Sequence, residues 1–298
     1  MVLVPSTTLP TYYVGQSTIT DPHEYAGAFD ALPDDMAALC KVVQGLLLHY
    51  AEGAMYGVEI PDHRMREADT RDVAATLAHI LAWDNRPLTV ARPPEMRLVG
   101  CCRDYAVLLC AMLRHRGVPA RVRFGFSTYF HDPVLAYCDH VVCEYWRAAE
   151  ERWVLVDAQQ DDLHCRANRL TFDPHDVPHD QLVLAGRAWQ ECRAGRADPD
   201  SFGYDANERG MPVVQNYLVH DLAALNKVEL LIWDCWGLGE RRPGEDVAAE
   251  DVALLDRVAA LTLSGDDAFQ DIRAIYEGNT GLRVPAHFKG PAGRVIST

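Results

Sequence analysis

The sequence of 298 residues contains only three lysines, at positions 41, 227 and 289, so arginine supplies 25 of its 28 basic residues. Acidic residues outnumber basic ones, and the formal net charge is −15. Such a surface repels the phosphates of duplex nucleic acid and anionic lipid headgroups, which argues against nucleic acid and membrane as partners. The preference for arginine over lysine is typical of a bacterial genome of skewed base composition and gives no information about function.

The sequence also lacks a long apolar run and, at its start (MVLVPSTTLPTYYVGQ), the positive segment and apolar stretch of a secretory signal. Its nine cysteines are an odd number, dispersed along the chain and without a CxxC pair. These features predict reduced thiols in a reducing compartment, and therefore a cytoplasmic protein.

Nucleotide-binding signatures are absent as well, since the sequence has neither a GxGxxG motif nor a P-loop. We therefore expect no cofactor, and an enzyme of this sequence would use preactivated or already amidated substrates rather than ATP. Apolar residues make up 49% and charged residues 24%, as in soluble globular proteins. The length suffices for one large domain or two modest ones.

The first hundred residues are predicted to be mainly helical. Residues 1–30 are expected to be irregular or strand-like, with a candidate edge strand at 11–14. Apolar residues then recur at helical spacing from Met36 to Tyr50. After a polar loop at 53–69, the pair Asp69-Thr70 could cap a second helix that runs to Trp83. Prolines exclude regular helix from 84 to 100.

From residue 100 the pattern sharpens. Cys102 to Arg116 is predicted to be a helix that Gly117 ends as a left-handed cap. Strands are predicted at Ala120–Phe130, His140–Trp146 and Arg152–Asp157, the last two joined as a hairpin through AAEE. Helices are then expected at 179–194, 212–236, 247–263 and 266–277, with a loop at 237–246 and a poorly ordered tail rich in glycine and proline.

This order of elements indicates the α+β class, because no alternation of strand and helix demands a parallel sheet. We predict a catalytic core with N-terminal helices over residues 1–170. Residues 171–298 would form a helical C-terminal extension packed on that core.

Three residues of this core have the chemistry of a thiol nucleophile and its partners. A cysteine attacks a carbonyl as thiolate, which a helix N-terminus and a neighbouring imidazolium both favour. Cys102 begins the strongest predicted helix, just after Gly100, which would let the backbone turn sharply. His140 begins one strand of the predicted hairpin and Asp157 ends the other, so the hairpin can place them side by side.

The surrounding residues, GCCRDYAVLLCAMLRHRGVPARVRFGF, DHVVCEYW and RWVLVDAQ, resemble the transglutaminase-like superfamily over about residues 97–160. The superfamily core runs roughly Gly-x-Cys-x-Asp-Phe/Tyr-Ala, Arg-Gly-Ile/Val-Pro-Ala-Arg, a histidine before a strand ending in Trp, and Trp-x-x-x-Asp. The resemblance implies a papain-like α+β fold in which the nucleophile helix packs on an antiparallel sheet. It also implies Cys102 as nucleophile, His140 as general base and acid, and Asp157 as the residue that orients the imidazole.

The activity implied by this resemblance is acyl transfer at an amide or thioester carbonyl through a thioester acyl-enzyme, as in transamidases, amidases and peptidases. The substrate would be a peptide, a protein or a small-molecule amide or thioester. The backbone N–H of Cys102 is a natural oxyanion donor, and the sequence does not identify a second one. Asp104 and Arg121 lie inside the motif and are interpreted as structural.

Two alternatives remain open. One is a transglutaminase-like module that binds or scaffolds without catalysis. The other is a metal-binding protein, because Cys138, His140 and Cys143 are close in sequence and further histidines follow at 164, 175 and 179. In a strand, however, His140 and Cys143 point to opposite faces, which argues against zinc.

Overall fold

The computed structural model describes residues 9–240, 247–289 and 295–297, and it confirms the α+β class. The helices are α1 (Leu9–Val14), α2 (Met36–Leu46), α3 (Val73–Trp83), α4 (Cys102–His115), α5 (Asp162–Ala167), α6 (Ala185–Arg193), α7 (Met211–Leu225), α8 (Ala249–Leu263) and α9 (Phe269–Glu277). The strands are β1 (Leu47–His49), β2 (Leu98–Gly100), β3 (Ala120–Ser127), β4 (Tyr137–Arg147), β5 (Arg152–Val156), β6 (Leu182–Leu184), β7 (Phe202–Gly203), β8 (His287–Lys289) and β9 (Val295–Ser297).

The chain forms two compact units that interleave along the sequence. The first comprises Met1–Arg121 and Cys143–Gln159, and the second comprises Val122–Val142 and Gln160–Thr298. Strands β3 and β4 each contribute residues to both units. The main sheet has the strand order β5-β4-β3-β6, with β7 paired to β4. The predicted catalytic core over residues 1–170 stays a prediction.

In the first unit, α4 is the central helix, and α2 and α3 pack against it. Nearly all of its residues are buried, which suits the apolar sequence of this helix. On β4, Cys143 pairs with Val156 of β5, and the antiparallel ladder continues to Arg147 and Arg152, as the predicted hairpin requires. The Cys143 thiol is hydrogen-bonded to Cys110 of α4, and burial first and then this neighbouring thiol raise the pKa of Cys143. This contact places α4 against β4.

Arg121, at the end of the first unit's share of β3, is structural as predicted. Its Nε lies 2.5 Å from Oε2 of Glu144, and both side chains are buried. Its guanidinium also lies 3.9 Å from the ring centroid of Trp153 on β5. The charge is therefore paired with a carboxylate and covered by an aromatic face, which offsets the cost of burying it.

In the second unit, β3 pairs antiparallel with β6, and the segment of β4 at Tyr137 pairs parallel with β7. Helices α6 to α9 pack on one another. A buried ion pair joins the strands to these helices: Nη2 of Arg123 lies 3.0 Å from Oδ2 of Asp221 on α7. Asp221 also accepts the backbone N–H of Phe124 at 2.9 Å, so its carboxylate fixes β3 against α7.

Several predicted boundaries were wrong in the N-terminal part. Leu47–His49 is not the end of a helix but strand β1, which pairs in parallel with β2. A short buried apolar run is compatible with either structure, and the pairing with Leu98–Gly100 decides it. Residues 11–14 belong to helix α1 rather than to an edge strand. Helix α3 is capped by Asp72, which accepts from the N–H of Ala75, and not by Asp69 or Thr70.

The C-terminal part also differs from the prediction. Residues 182–184 form β6 before α6 begins, where one continuous helix was expected. Helix α7 ends at Leu225, and Lys227 beyond it has a left-handed backbone with φ of 62°. The expected unordered tail contains β8 and β9, which pair antiparallel. Residues 241–246 of the predicted loop and 290–294 of the tail lie outside the described residues.

We expect Asp221→Ala to lower the free energy of unfolding by about 3–5 kcal/mol, because it removes the carboxylate that pairs with the buried Arg123 charge and accepts the Phe124 N–H, while Arg123 keeps its bond to the Thr262 carbonyl. Urea denaturation measures the loss. The control is Glu277→Ala, which removes a helical ion pair with Arg273 that is 31% and 50% exposed and should cost under about 0.5 kcal/mol. Equal effects of the two substitutions would contradict a stabilising role of the buried pair.

Candidate active site

Cys102 is the first residue of α4, as predicted, and its side chain is 4% exposed. The preceding Cys101 has an extended backbone with φ of −122° and ψ of 178°, so the chain enters the helix from a straight segment. Its N–H donates to Oδ2 of Asp104 at 2.8 Å, and the N–H of Asp104 donates to the Cys101 carbonyl at 2.9 Å. The Cys102 thiol is therefore held at the positive end of a helix of 14 residues, where a thiolate is favoured.

Gly100 is required by the close approach of Asp104. A Cβ atom on Gly100 would lie 2.7 Å from Oδ2 of Asp104 and 3.2 Å from its Cβ. Gly100 is not one of the glycines with a positive φ, so the sharp turn expected from the sequence is not the reason for it. The spacing Gly-x-Cys-x-Asp thus describes one packing unit, in which Gly100 makes room for the Asp104 carboxylate that caps α4.

Arg103 compensates the charge of Asp104. Burial raises the pKa of Asp104, while the nearby Arg103 guanidinium and the Cys101 N–H oppose that rise. Nη1 of Arg103 lies 2.9 Å from Oδ1 of Asp104, and its Nη2 donates to the Arg71 carbonyl at 2.6 Å. The structural role predicted for Asp104 is confirmed by these contacts.

His140 lies in β4, three residues after the strand begins and not at its start as predicted. The imidazole is 1% exposed. It meets Tyr129 and Phe130 edge to face, with ring centroids 6.0 Å and 4.9 Å away. Both aromatics follow β3, which ends at Ser127, whereas the sequence predicted them as strand. These two rings restrict the imidazole and shield it from water.

Asp157 directly follows β5, and its side chain is 1% exposed. Its Oδ1 accepts the N–H of Gln159 at 3.0 Å. The next residues are anchored by the first unit's N-terminal part: Gln44 of α2 donates to the Ala158 carbonyl at 3.1 Å, and Nε2 of Gln159 donates to Glu52 at 2.9 Å. The two residues that follow Asp157 are therefore held in place, one by α2 and one by Glu52.

Residues 50–52, which follow β1, contact the chain next to Cys102 and the chain next to Asp157, all within the first unit. The N–H of Tyr50 donates to the carbonyl of Gly100 at 2.9 Å, two residues before Cys102. Glu52 holds Gln159, two residues after Asp157. The sequence predicts helix and loop for this segment, because the short apolar run of β1 suits a helix equally well. Cys102 and Asp157 belong to the first unit, and His140 belongs to the second.

The other cysteines include several with strongly disfavoured thiolates. Burial and nearby carboxylates raise the pKa of Cys138 to about 12 and the pKa of Cys192 and Cys235 to about 11. All nine cysteines lie in the described residues, and none forms a disulfide. Near neutral pH these three thiols are protonated and react slowly with electrophiles.

The residues considered as metal ligands have local partners. Nδ1 of His164 lies 2.8 Å from Oδ1 of Asp161, and Nδ1 of His175 lies 2.7 Å from Oδ1 of Asp173. Within residues 9–240, 247–289 and 295–297, no group of three or more His, Cys, Asp or Glu side chains is arranged to hold a metal ion. No helix in the same ranges is long and apolar enough to cross a membrane.

Residues 74–158 match the transglutaminase-like superfamily, a segment that includes Cys102, His140 and Asp157. The resemblance seen in the sequence is confirmed for this segment. Curated proteins give no match.

Among solved structures, the chain is similar to a protein of Cytophaga hutchinsonii described as a candidate cysteine protease, with 14% identity and a TM-score of 0.35. The alignment covers 61% of this chain and 48% of the other. The chain thus spans about half the length of that protein.

We expect Gly100→Ala to displace Asp104 and disturb the first turn of α4. The free energy of unfolding should fall by about 1–3 kcal/mol, as for other overpacked sites, and alkylation of Cys102 should slow. The control is Gly265→Ala, because nothing lies within 4 Å of a Cβ built on Gly265. Urea denaturation and the rate of thiol alkylation report the two effects. A Gly100→Ala protein that matches wild type in both would contradict the close-approach argument.

Proposed function

We propose that this protein is a cysteine enzyme in which Cys102, His140 and Asp157 form a catalytic triad. The reaction is acyl transfer at an amide or thioester carbonyl, through a thioester acyl-enzyme on Cys102. The substrate is a peptide, a protein or a small-molecule amide or thioester. The observation that carries this proposal is the Cys102 thiol at the first residue of α4, inside a transglutaminase-like domain that also includes the other two residues.

The connectivity of β4 and β5 supports a meeting of His140 and Asp157. Along β4, His140 stands three residues before Cys143, whose partner Val156 directly precedes Asp157. The proposal requires this antiparallel pairing to continue by one residue. Asp157 would then lie opposite Val142, on the face of the sheet that carries His140, because alternate residues of a strand share a face.

The proposed chemistry follows the general pattern of thiol acyl transfer. The Cys102 thiolate attacks the carbonyl carbon, and the electron pair moves to the carbonyl oxygen, where the N–H of Cys102 can donate to it. When the tetrahedral adduct collapses, the bond to the leaving amine or thiol breaks, and the His140 imidazolium supplies its proton. Water or an amine then attacks the thioester while neutral His140 accepts its proton, and the thiolate is released. Asp157 keeps the imidazole oriented throughout.

A second candidate function is a transglutaminase-like module that binds or scaffolds without catalysis. The burial of the site favours it, because Cys102 is 4% exposed and both His140 and Asp157 are 1% exposed.

We also propose that the protein works in a reducing compartment such as the cytoplasm. Nine cysteines without a disulfide among the described residues support this location.

The test is intact-mass spectrometry during brief iodoacetamide treatment near neutral pH, with wild type, Cys102→Ala, Cys101→Ala and His140→Ala. We expect one fast-reacting thiol in wild type that Cys102→Ala abolishes and Cys101→Ala retains. His140→Ala should slow it about tenfold or more, because it removes the imidazolium that favours the thiolate. Asp157→Asn should slow it less, since that change leaves the imidazole in place.

The three thiols of raised pKa serve as internal references, because they should modify slowly in every variant. If Cys102 reacts no faster than these thiols in wild type, the activated nucleophile is not assembled. The scaffold function would then replace the enzymatic one.

A further inference from the structure

His140 is covered by the loop of residues 128–136, which joins β3 to β4. Two consecutive rings of this loop meet the imidazole edge to face, Tyr129 with its centroid 6.0 Å away and Phe130 with its centroid 4.9 Å away. The imidazole is 1% exposed, whereas residues 131–134 of the loop are exposed. One side of the loop therefore covers the histidine while the other faces solvent.

Both ends of the loop are fixed within the second unit. At its start, the N–H and the hydroxyl of Thr128 donate to the carbonyl of Gln181, at 2.9 Å and 3.2 Å. At its other end, Leu135 is buried, and Tyr137 at the start of β4 stacks on Phe202 with ring centroids 4.2 Å apart. Fixed ends leave the residues between them as the part of the loop that can move.

The exposed middle of the loop has its own internal structure. Oδ1 of Asp132 accepts the N–H of Val134 at 2.7 Å and the N–H of Leu135 at 2.8 Å. An aspartate that binds the backbone N–H two residues further on stabilises a turn locally. Val134 in this turn is 45% exposed. The middle of the loop can consequently move as a preformed piece rather than by unravelling.

Two contacts hold the loop against the segment that follows α5. Nε2 of His131 lies 3.2 Å from the carbonyl oxygen of Asn168, in an exposed hydrogen bond. The ring of Tyr129 also meets that of Phe172, with centroids 5.3 Å apart. The segment itself is tied to α5, because the N–H of Asn168 donates to the His164 carbonyl at 2.8 Å. Water can replace the His131 contact, so this hydrogen bond breaks at little cost in free energy.

We propose that residues 128–136 form a lid over His140, closed by the hydrogen bond between His131 and the Asn168 carbonyl. A group that exchanges protons with a substrate must contact it, and the imidazole is 1% exposed while the two rings cover it. Lifting the lid breaks the exposed hydrogen bond and moves the rings away from the imidazole, while both ends of the lid stay attached. The inference rests on the proposed function for its catalytic meaning, because that function makes His140 the general base and acid.

The test measures access to the imidazole itself, in a Cys102→Ala background that removes the proposed nucleophile. Diethyl pyrocarbonate modifies accessible imidazoles, and peptide mapping over a time course gives a separate rate for each histidine. We expect His140 to react slowly in this background. His131→Ala should raise the rate at His140 about twofold to tenfold, the range expected for the loss of one hydrogen bond. Phe172→Ala should raise it also, because it removes the ring that packs against Tyr129.

The matched control is His115→Ala in the first unit. It also removes an imidazole that is hydrogen-bonded at 3.2 Å to an exposed partner, here Oδ1 of Asp30, and it should leave the rate at His140 unchanged. His220, which is 1% exposed and lies in the same unit as the lid, is the internal reference for general loosening of the fold. An unchanged rate at His140 in His131→Ala, or an equal rise at His220, would overturn the inference.

Alkylation of Cys102, in the protein that retains this thiol, tests the proposed function separately. If Cys102 reacts no faster than the three thiols of raised pKa, the triad is wrong, while the modification rates in Cys102→Ala still decide whether the lid exists. If Cys102 reacts fast and His131→Ala leaves His140 as protected as before, the triad stands and the lid is wrong.

Discussion

The carboxylate of Asp104, which is 11% exposed in the first turn of α4, is the group on which the placement of Cys102 depends. It caps the helix through the N–H of Cys101, and it needs the space that Gly100 leaves by having no Cβ. An isolated carboxylate in this position would be costly, and Arg103 offsets that cost at 2.9 Å. Gly100, Cys101 and Arg103 thus accommodate one largely buried charge next to Cys102, which stays at the start of the helix.

The support of the candidate site comes from parts of the chain that are distant in sequence. Gln44 and Glu52 fix the loop that follows Asp157, and Tyr50 contacts Gly100. In the second unit, aromatic rings surround His140, and Tyr217 holds the residue before it. The three proposed catalytic residues thus take their local positions from elements that carry no chemistry of their own. This arrangement is typical of sites built on a rigid scaffold.

Local patterns predicted part of this structure. The helix from Cys102, its end at Gly117, and the hairpin of β4 and β5 follow from periodicity, glycine and turn chemistry over short stretches. The pairing of β1 with β2 could not be predicted, because it joins residues about fifty positions apart and Leu47–His49 alone suits a helix equally well. The hydrogen bond between Tyr217 and Asp139 spans 78 positions and has no local signature.

The candidate site was likewise predicted only in part from the sequence. The motif around Cys102 assigned a role to each of three residues, and the structure confirms the helix start at Cys102. Asp157 was predicted as the last residue of its strand and lies one residue beyond the end of β5. The strand carrying His140 begins at Tyr137, earlier than expected, since Cys138 and Asp139 gave no clear alternation. Their joint action as a triad remains a prediction.

Trapping an acyl-enzyme tests the proposed role of Cys102 directly. Brief exposure to p-nitrophenyl acetate, acid quench and peptide mapping would locate any acetyl group. We expect a burst of nitrophenol and a single acetyl thioester on Cys102 that hydroxylamine removes. Both should be absent in Cys102→Ala and strongly reduced in His140→Ala. Acetylation spread over lysines and other cysteines, without a burst and without enrichment at Cys102, would contradict it.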